Sequence, residues 1–305
     1  MSRPAMAVAV GGLELASPVL AASGTFGYGL EMARWCDLGA IGGFVTKGLS
    51  LRPRPGNPPP RIWETASGML NAIGLANVGL EAFLAEKLPA IRELGTKVVA
   101  NLYAERAGDF AELAARLEEA GGVDAVELNV SCPNVAAGGM AFGVDPAAVA
   151  GAVERVKAAC RLPVWVKLTP NITDPVPVAR AAAGAGADAL CLINTLLGMA
   201  IDARTRRPRL GNLVGGLSGP AIKPVALRMV WQVARAVELP VVGIGGITSG
   251  EDAAEFLLAG ARAVQVGTAS LMDPGAAGRI ARELEEFCAA QGVADVNQLV
   301  GGLAA

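Results

Sequence analysis

"EAGGVDAVELNV", residues 119–130, decides the fold. It closes a segment of helical period, turns on two glycines and enters an apolar run. Glycine there accepts the left-handed conformation that ends a helix. The same exit recurs in "DLGAIGGFV" (37–45), "AGAGADALCL" (183–192) and "LAGARAVQV" (258–266). This is a weak internal repeat of αβ units.

Working outward, eight short apolar runs fit strands buried on both faces. They are "PVLAAS" (18–23), "GGFVTK" (42–47), "KVVANL" (97–102), "AVELNV" (125–130), "VWVKLT" (164–169), "ALCLIN" (189–194), "VVGIGG" (241–246) and "AVQVGT" (263–268). Helical period returns between them, as in "DFAELAARLEEA" (109–120) and "VALRMVWQVARAVEL" (225–239). Eight alternating units predict a (β/α)8 TIM barrel, one domain over residues 1–305, with a doubly wound open sheet as the alternative. Three long connections follow strands, at about 48–70, 133–146 and 196–222. The first holds "LRPRPGNPPPRIWE", whose prolines exclude a helix interior. In a barrel all three lie at the C-terminal rim, where active sites are built.

Composition narrows the function classes. The chain has 305 residues, is 52% hydrophobic and carries a net charge of −2. A large core is available, and no global basic field attracts nucleic acid or anionic lipid. The N-terminal "MSRPAMAVAVGGLE" is too short in apolar residues for a signal peptide, and no run suits a membrane span. A cytoplasmic protein is expected. Histidine is absent, and the five cysteines (36, 132, 160, 191 and 288) include no CxxC pair. No metal site is therefore expected. Four of the cysteines read as small core residues. Cys132, inside "NVSCPN" (129–134), does not.

Polar residues gather where the apolar runs end: Ser23, Lys47, Asn101, Asn129, Cys132, Lys167, Asn194 and Thr195. Polar groups at such places are costly without partners. Eight at the same end of successive strands point to a lined pocket rather than isolated core contacts. The last two runs end in "GIGGITSG" (243–250) and "QVGTASL" (265–271). Loops after strands seven and eight of a barrel often hold a phosphate on backbone N–H groups. "GAGADA" (184–189) imitates a dinucleotide fingerprint but closes a helix instead of opening one, so it is set aside. Lys47 and Lys167 suit stabilisation of developing negative charge, and Schiff-base chemistry of the aldolase kind needs such a lysine too. For Cys132, a nucleophile would want a histidine base. A general base needs only partial deprotonation beside a carbon acid.

With these residues assembled, the chain resembles the class 1 dihydroorotate dehydrogenases nearly end to end. The most specific stretch is "NVSCPN" followed by "GGMAFG" (138–143). It is joined by "SGTFGYG" (23–29), "TKGLSLRPRPGNPPPR" (46–61), "NAIGLAN" (71–77), "VKLTPN" (166–171), "INTLLGMAID" (193–202) and "GGLSGPAIKPVALRMVW" (215–231). "GGMAFG" and "GLSGPAIKP" resemble the class 1B branch, whose FMN barrel passes electrons to NAD+ through a second subunit carrying FAD and a [2Fe-2S] cluster.

The resemblance implies one FMN per chain and oxidation of dihydroorotate to orotate in pyrimidine biosynthesis. Cys132 would take the C5 proton while hydride leaves C6. Lys47, Asn71, Ala72, Ile73, Gly74, Leu75, Asn129, Asn194 and Thr195 would hold the substrate. Ser23, Lys47, Gly48, Asn101, Asn129, Lys167, Ile193, Gly219, Gly245, Gly246, Gly267 and Thr268 would hold FMN. It further implies a homodimer of this chain within a heterotetramer containing the iron–sulfur/FAD subunit. Alternatives are a fumarate-using class 1A enzyme, a tRNA dihydrouridine synthase and a catalytically silent flavin scaffold. Neither the basic face nor the extension that an RNA substrate needs is visible.

Overall fold

The computed structural model describes residues 3–131 and 142–304. Eight parallel strands close a barrel. In chain order they are β1 (Val19–Ala21), β2 (Gly43–Val45), β3 (Lys97–Leu102), β4 (Ala125–Asn129), β5 (Val164–Lys167), β6 (Ala189–Leu192), β7 (Val241–Ile244) and β8 (Ala261–Val266). Each predicted run supplies one strand. The ring closes where Val264 of β8 pairs with Val19 of β1.

Helices cover the outside. Ala107–Ala120 buries Phe110, Leu113, Ala114 and Leu117, one stripe at helical spacing. A fully buried side chain of this size stabilises by roughly 1.5–3 kcal/mol relative to exposure. Lys223–Ala234 ends earlier than the 225–239 pattern predicts. Pro240 biases Leu239 toward extended backbone, and a turn over 235–239 leads the chain into β7. The first unit differs from the pattern altogether. Residues 26–41 form successive turns, with Ala33 N–H bonded to Gly29 O and Cys36 N–H to Met32 O, and no regular helix. The expected glycine exits hold at Gly121 (φ 67°), Gly186 (φ 94°) and Gly260 (φ 109°).

A hairpin of Val8–Val10 and Leu13–Leu15 lies against the strand starts, with Val8, Val10, Leu13 and Leu15 buried. Trp165 Nε1 donates to Gly11 O at 3.1 Å. A Cβ on Gly11 (φ 49°) would stand 2.7 Å from the Ala189 Cβ and close upon the Trp165 ring. Gly11→Ala is therefore expected to destabilise the chain by about 2 kcal/mol or more, from left-handed strain plus overpacking. Thermal unfolding checks this, and an unchanged midpoint would refute the tight, left-handed packing at Gly11.

The opposite end carries the long connections. Segment 48–70 is not loop throughout: Ile62–Thr65 pairs with Gly68–Asn71, which pairs with Gly215–Ser218, which pairs with Leu196–Gly198. The connections after β2 and β6 thus share one four-stranded antiparallel sheet. Of the third connection, only 142–146 falls within the described residues, where Phe142–Val144 leads into the helix Pro146–Ala159.

Candidate active site

Parallel strands deliver their C-terminal ends to one rim, so residues scattered along the chain meet there. Asn129 ends β4 and Lys167 ends β5, and the two are register partners. Ile193, Asn194 and Thr195 follow β6, Gly245 and Gly246 follow β7, and Gly267 and Thr268 follow β8. Ser23 lies just beyond β1, and Lys47 and Gly48 just beyond β2. Asn101 is the last residue but one of β3.

Hydrogen bonds tie these residues together. Asn194 Nδ2 donates to Asn129 Oδ1 at 3.1 Å, and Thr195 N–H donates to Asn194 Oδ1 at 2.9 Å. Asn171 braces the same turn, donating from Nδ2 to Thr195 O and accepting from Leu197 N–H. Asn129 Oδ1 also takes the Ser131 N–H at 3.3 Å, while Ser131 Oγ donates to Lys167 O at 3.0 Å. The strand exit before Cys132 is therefore pinned on two sides. Cys132 itself lies outside the described residues. The other four cysteines are free and buried. Burial pushes the Cys191 thiol well above its usual range, and Glu127 pushes it further, so it is an inert interior group.

The loop 71–75 reaches the rim through the side sheet. Asn71 Nδ2 donates to Gly216 O at 3.3 Å. Gly74 (φ 72°) and Leu75 (φ 61°) both take left-handed backbone, and left-handed non-glycine residues concentrate at functional sites. Asn77 Nδ2 holds Leu75 O at 2.8 Å, and the proline-rich segment packs alongside through Asn57 N–H to Ile73 O. Gly216 has no room for a side chain, because its Cβ would overlap Thr195.

The lysines differ. Lys167 is 6% exposed, and among the described residues no carboxylate lies within ion-pair distance of its ammonium. Lys47 is half-buried. Burial lowers its pKa from the ordinary 10.5, nearby Arg61 lowers it further, and Glu31 opposes both. An anion that accepts from Lys47 loses that partner once the ammonium deprotonates. Affinity for such an anion is therefore expected to fall as pH rises, with an onset below 10.5. Titration of carboxylate binding against pH tests this, and a flat profile up to that pH would refute it.

The glycine loops are fixed in place from behind. Asp252 accepts from Thr248 N–H, Thr248 Oγ1 and Ser249 N–H at 2.7, 2.7 and 3.1 Å, and from Lys223 Nζ at 2.6 Å. Gly246 (φ 74°) packs so close to Lys223 and Gly219 O that only glycine fits. Thr268 Oγ1 donates to Ser218 Oγ at 2.8 Å, joining the loop after β8 to the side sheet. A Cβ on Gly267, by contrast, would stand at ordinary contact distance, 3.7 Å from the Ala22 Cβ and 4.0 Å from Thr25, so the fold itself does not force glycine there.

Two interior residues escaped the sequence reading, Glu127 and Gln265, both 0% exposed. Glu127 takes an N–H from Asn101 Nδ2 at 2.7 Å and one from Gln265 Nε2 at 2.8 Å. Asn101 Oδ1 and Gln265 Oε1 are buried and meet no donor among the described residues. Unpaired acceptors and a buried lysine without a carboxylate partner among the described residues together fit a bound group that bears N–H and anionic functions.

Comparison with known proteins shows the family and the fold. A family model described as dihydroorotate dehydrogenase matches residues 5–288. The chain is 58% identical over 303 residues to a Geobacter sp. (strain M21) protein named dihydroorotate dehydrogenase B (NAD(+)), catalytic subunit, covering 99% of each. A Pelobacter propionicus protein of the same name is 59% identical over 301 residues, again covering 99% of each. Among solved structures, a dihydroorotate dehydrogenase from Eimeria tenella in complex with ferulenol superposes with a TM-score of 0.83. That match covers 97% of this chain and 88% of that one at 22% identity, and it speaks for the fold alone.

Proposed function

The chain belongs to the dihydroorotate dehydrogenase family, and from that premise we propose how its residues divide the work. It is the catalytic subunit of an NAD+-linked enzyme that oxidises dihydroorotate to orotate in pyrimidine synthesis. FMN is the group assigned to the rim, and when bound it supplies the hydride acceptor. What supports this assignment is the barrel rim itself, which brings together the buried, unpaired Asn101 acceptor and the buried Lys167, a lysine with no ion pair among the described residues.

The chain's own residues have separable tasks. Gly245, Gly246, Gly267 and Thr268 receive the phosphate on backbone N–H groups. Ser23, Gly48, Ile193 and Gly219 line the remaining edge. Lys167 places positive charge where electron density accumulates. Asn129, Asn194 and Thr195 offer amide and hydroxyl groups to a pyrimidine ring edge. Lys47 answers the substrate carboxylate, and the loop 71–75 closes the far side. Cys132 accepts the proton from C5.

The chain encodes no CxxC pair and no dinucleotide fingerprint in the required context. The relay to NAD+ is therefore assigned to a partner subunit carrying FAD and a [2Fe-2S] cluster, around a homodimer of this chain. The buried free thiols suit a reducing compartment such as the cytoplasm. Anaerobic addition of dihydroorotate to the purified yellow chain tests the central reading: the flavin absorbance should bleach. NAD+ should then reoxidise it only when the partner is present. A yellow chain that does not bleach would overturn the substrate, and efficient NAD+ reduction by the isolated chain would overturn the partner.

A further inference from the structure

The barrel interior holds one acidic group that the proposed reaction does not use. Glu127 stands in mid-β4, fully buried, beside Asn101, its register partner on β3. In the order of the ring, β8 lies opposite β4. The bond from Gln265 to Glu127 therefore crosses the barrel. Both Glu127 oxygens act as acceptors, one for each amide.

An amide whose NH2 is occupied turns its carbonyl the other way. That describes Asn101, whose Oδ1 is buried and meets no donor among the described residues, 2.9 Å from where a Cβ on Gly48 would stand. A buried acceptor left in this state costs about 1–3 kcal/mol. It calls for a ligand N–H. Gly48 and Asn101 are both residues assigned to FMN, and the oxidised flavin ring carries one N–H, the imide N3–H between two carbonyls.

We infer that Glu127 is a positioning residue: it fixes the Asn101 amide with its carbonyl toward the flavin imide N–H, while Gln265 holds the second Glu127 oxygen. This rests on the FMN reading. Without the carboxylate, an asparagine amide presents NH2 or carbonyl with equal ease, and NH2 facing N3–H would set donor against donor. Glu127, an acceptor on both oxygens, removes that choice.

Apoenzyme titrated with FMN and with 3-methyl-FMN, followed by quenching of flavin fluorescence, tests the assignment. Wild type is expected to bind 3-methyl-FMN about 30-fold or more weaker than FMN. Glu127→Gln is expected to bind FMN about 10-fold weaker and to discriminate between the two flavins only a few-fold. Should that variant fail to fold, Gln265→Met releases the same anchor and should also narrow the ratio. Equal binding of both flavins by wild type overturns the inference. So does a folded Glu127→Gln or Gln265→Met chain that keeps the wild-type ratio and merely unfolds at lower temperature. Wild type that binds neither flavin removes the FMN reading, and this inference with it.

Discussion

Cys132→Ala is expected to slow anaerobic bleaching by dihydroorotate about 10²–10⁴-fold, with FMN still bound. The argument is one of supply. Histidine is absent from the chain, and the other four cysteines are buried away from the rim. Under the proposed function both rim lysines are assigned to anionic groups, and neither is the base. Two bonds hold Ser131, the residue before Cys132, against the ends of β4 and β5. An ordinary thiol ionises near pH ~8.5, so the wild-type rate should climb toward that pH. Cys132→Ser keeps the shape but is a far weaker acid, and it should be slow at neutral pH. Stopped-flow absorbance decides the matter: wild-type bleaching by Cys132→Ala would remove the thiol from the chemistry.

Lys167→Met is expected to act in opposite directions on stability and function. An ammonium this deeply buried, with no ion pair among the described residues, is a burden on the protein before its ligand arrives. Methionine has nearly the same length and no charge. The apoprotein should therefore be at least as heat-stable as wild type, a trade between stability and activity found at many active sites. With the charge gone, bleaching by dihydroorotate should fall about 10²–10³-fold, the range seen on removing one preorganised electrostatic contact. Melting of the apoprotein and the bleaching rate are read on the same preparation. A variant that melts lower than wild type yet bleaches normally would make Lys167 a structural residue.

The barrel was legible because its strands are buried on both faces. Such strands read as continuous apolar runs, and the glycine exits at Gly121, Gly186 and Gly260 mark where β4, β6 and β8 begin. The rim residues were legible because they interrupt those runs at their ends. The side sheet was not. Its pairing of Asn71 with Gly216 joins segments far apart in the chain, and nothing local announces it. The turns over 26–41 were also missed, because "LEMARWCDLG" has helical spacing while the left-handed backbone at Gly27 and Gly29 works against a helix. Glu127 and Gln265 were present within quoted runs and overlooked. Strand parity would have found them: Glu127 shares a face with Asn129, and Gln265 with Gly267. A carboxylate on the face that ends in a site residue points into the barrel.

The pairing of Val19 with Val264 has a consequence during synthesis. The ribosome makes β1 long before its partner β8, with the other six barrel strands in between. At about 5–20 residues per second, the nascent β1 edge waits on the order of ten seconds or more for β8 to emerge. Until then the incomplete sheet carries open edges on both sides, the kind of surface that joins other chains. A stalled or truncated chain lacking β8 is left in that state permanently. Chaperone demand and aggregation of such fragments should therefore depend on whether residues 261–266 have been made.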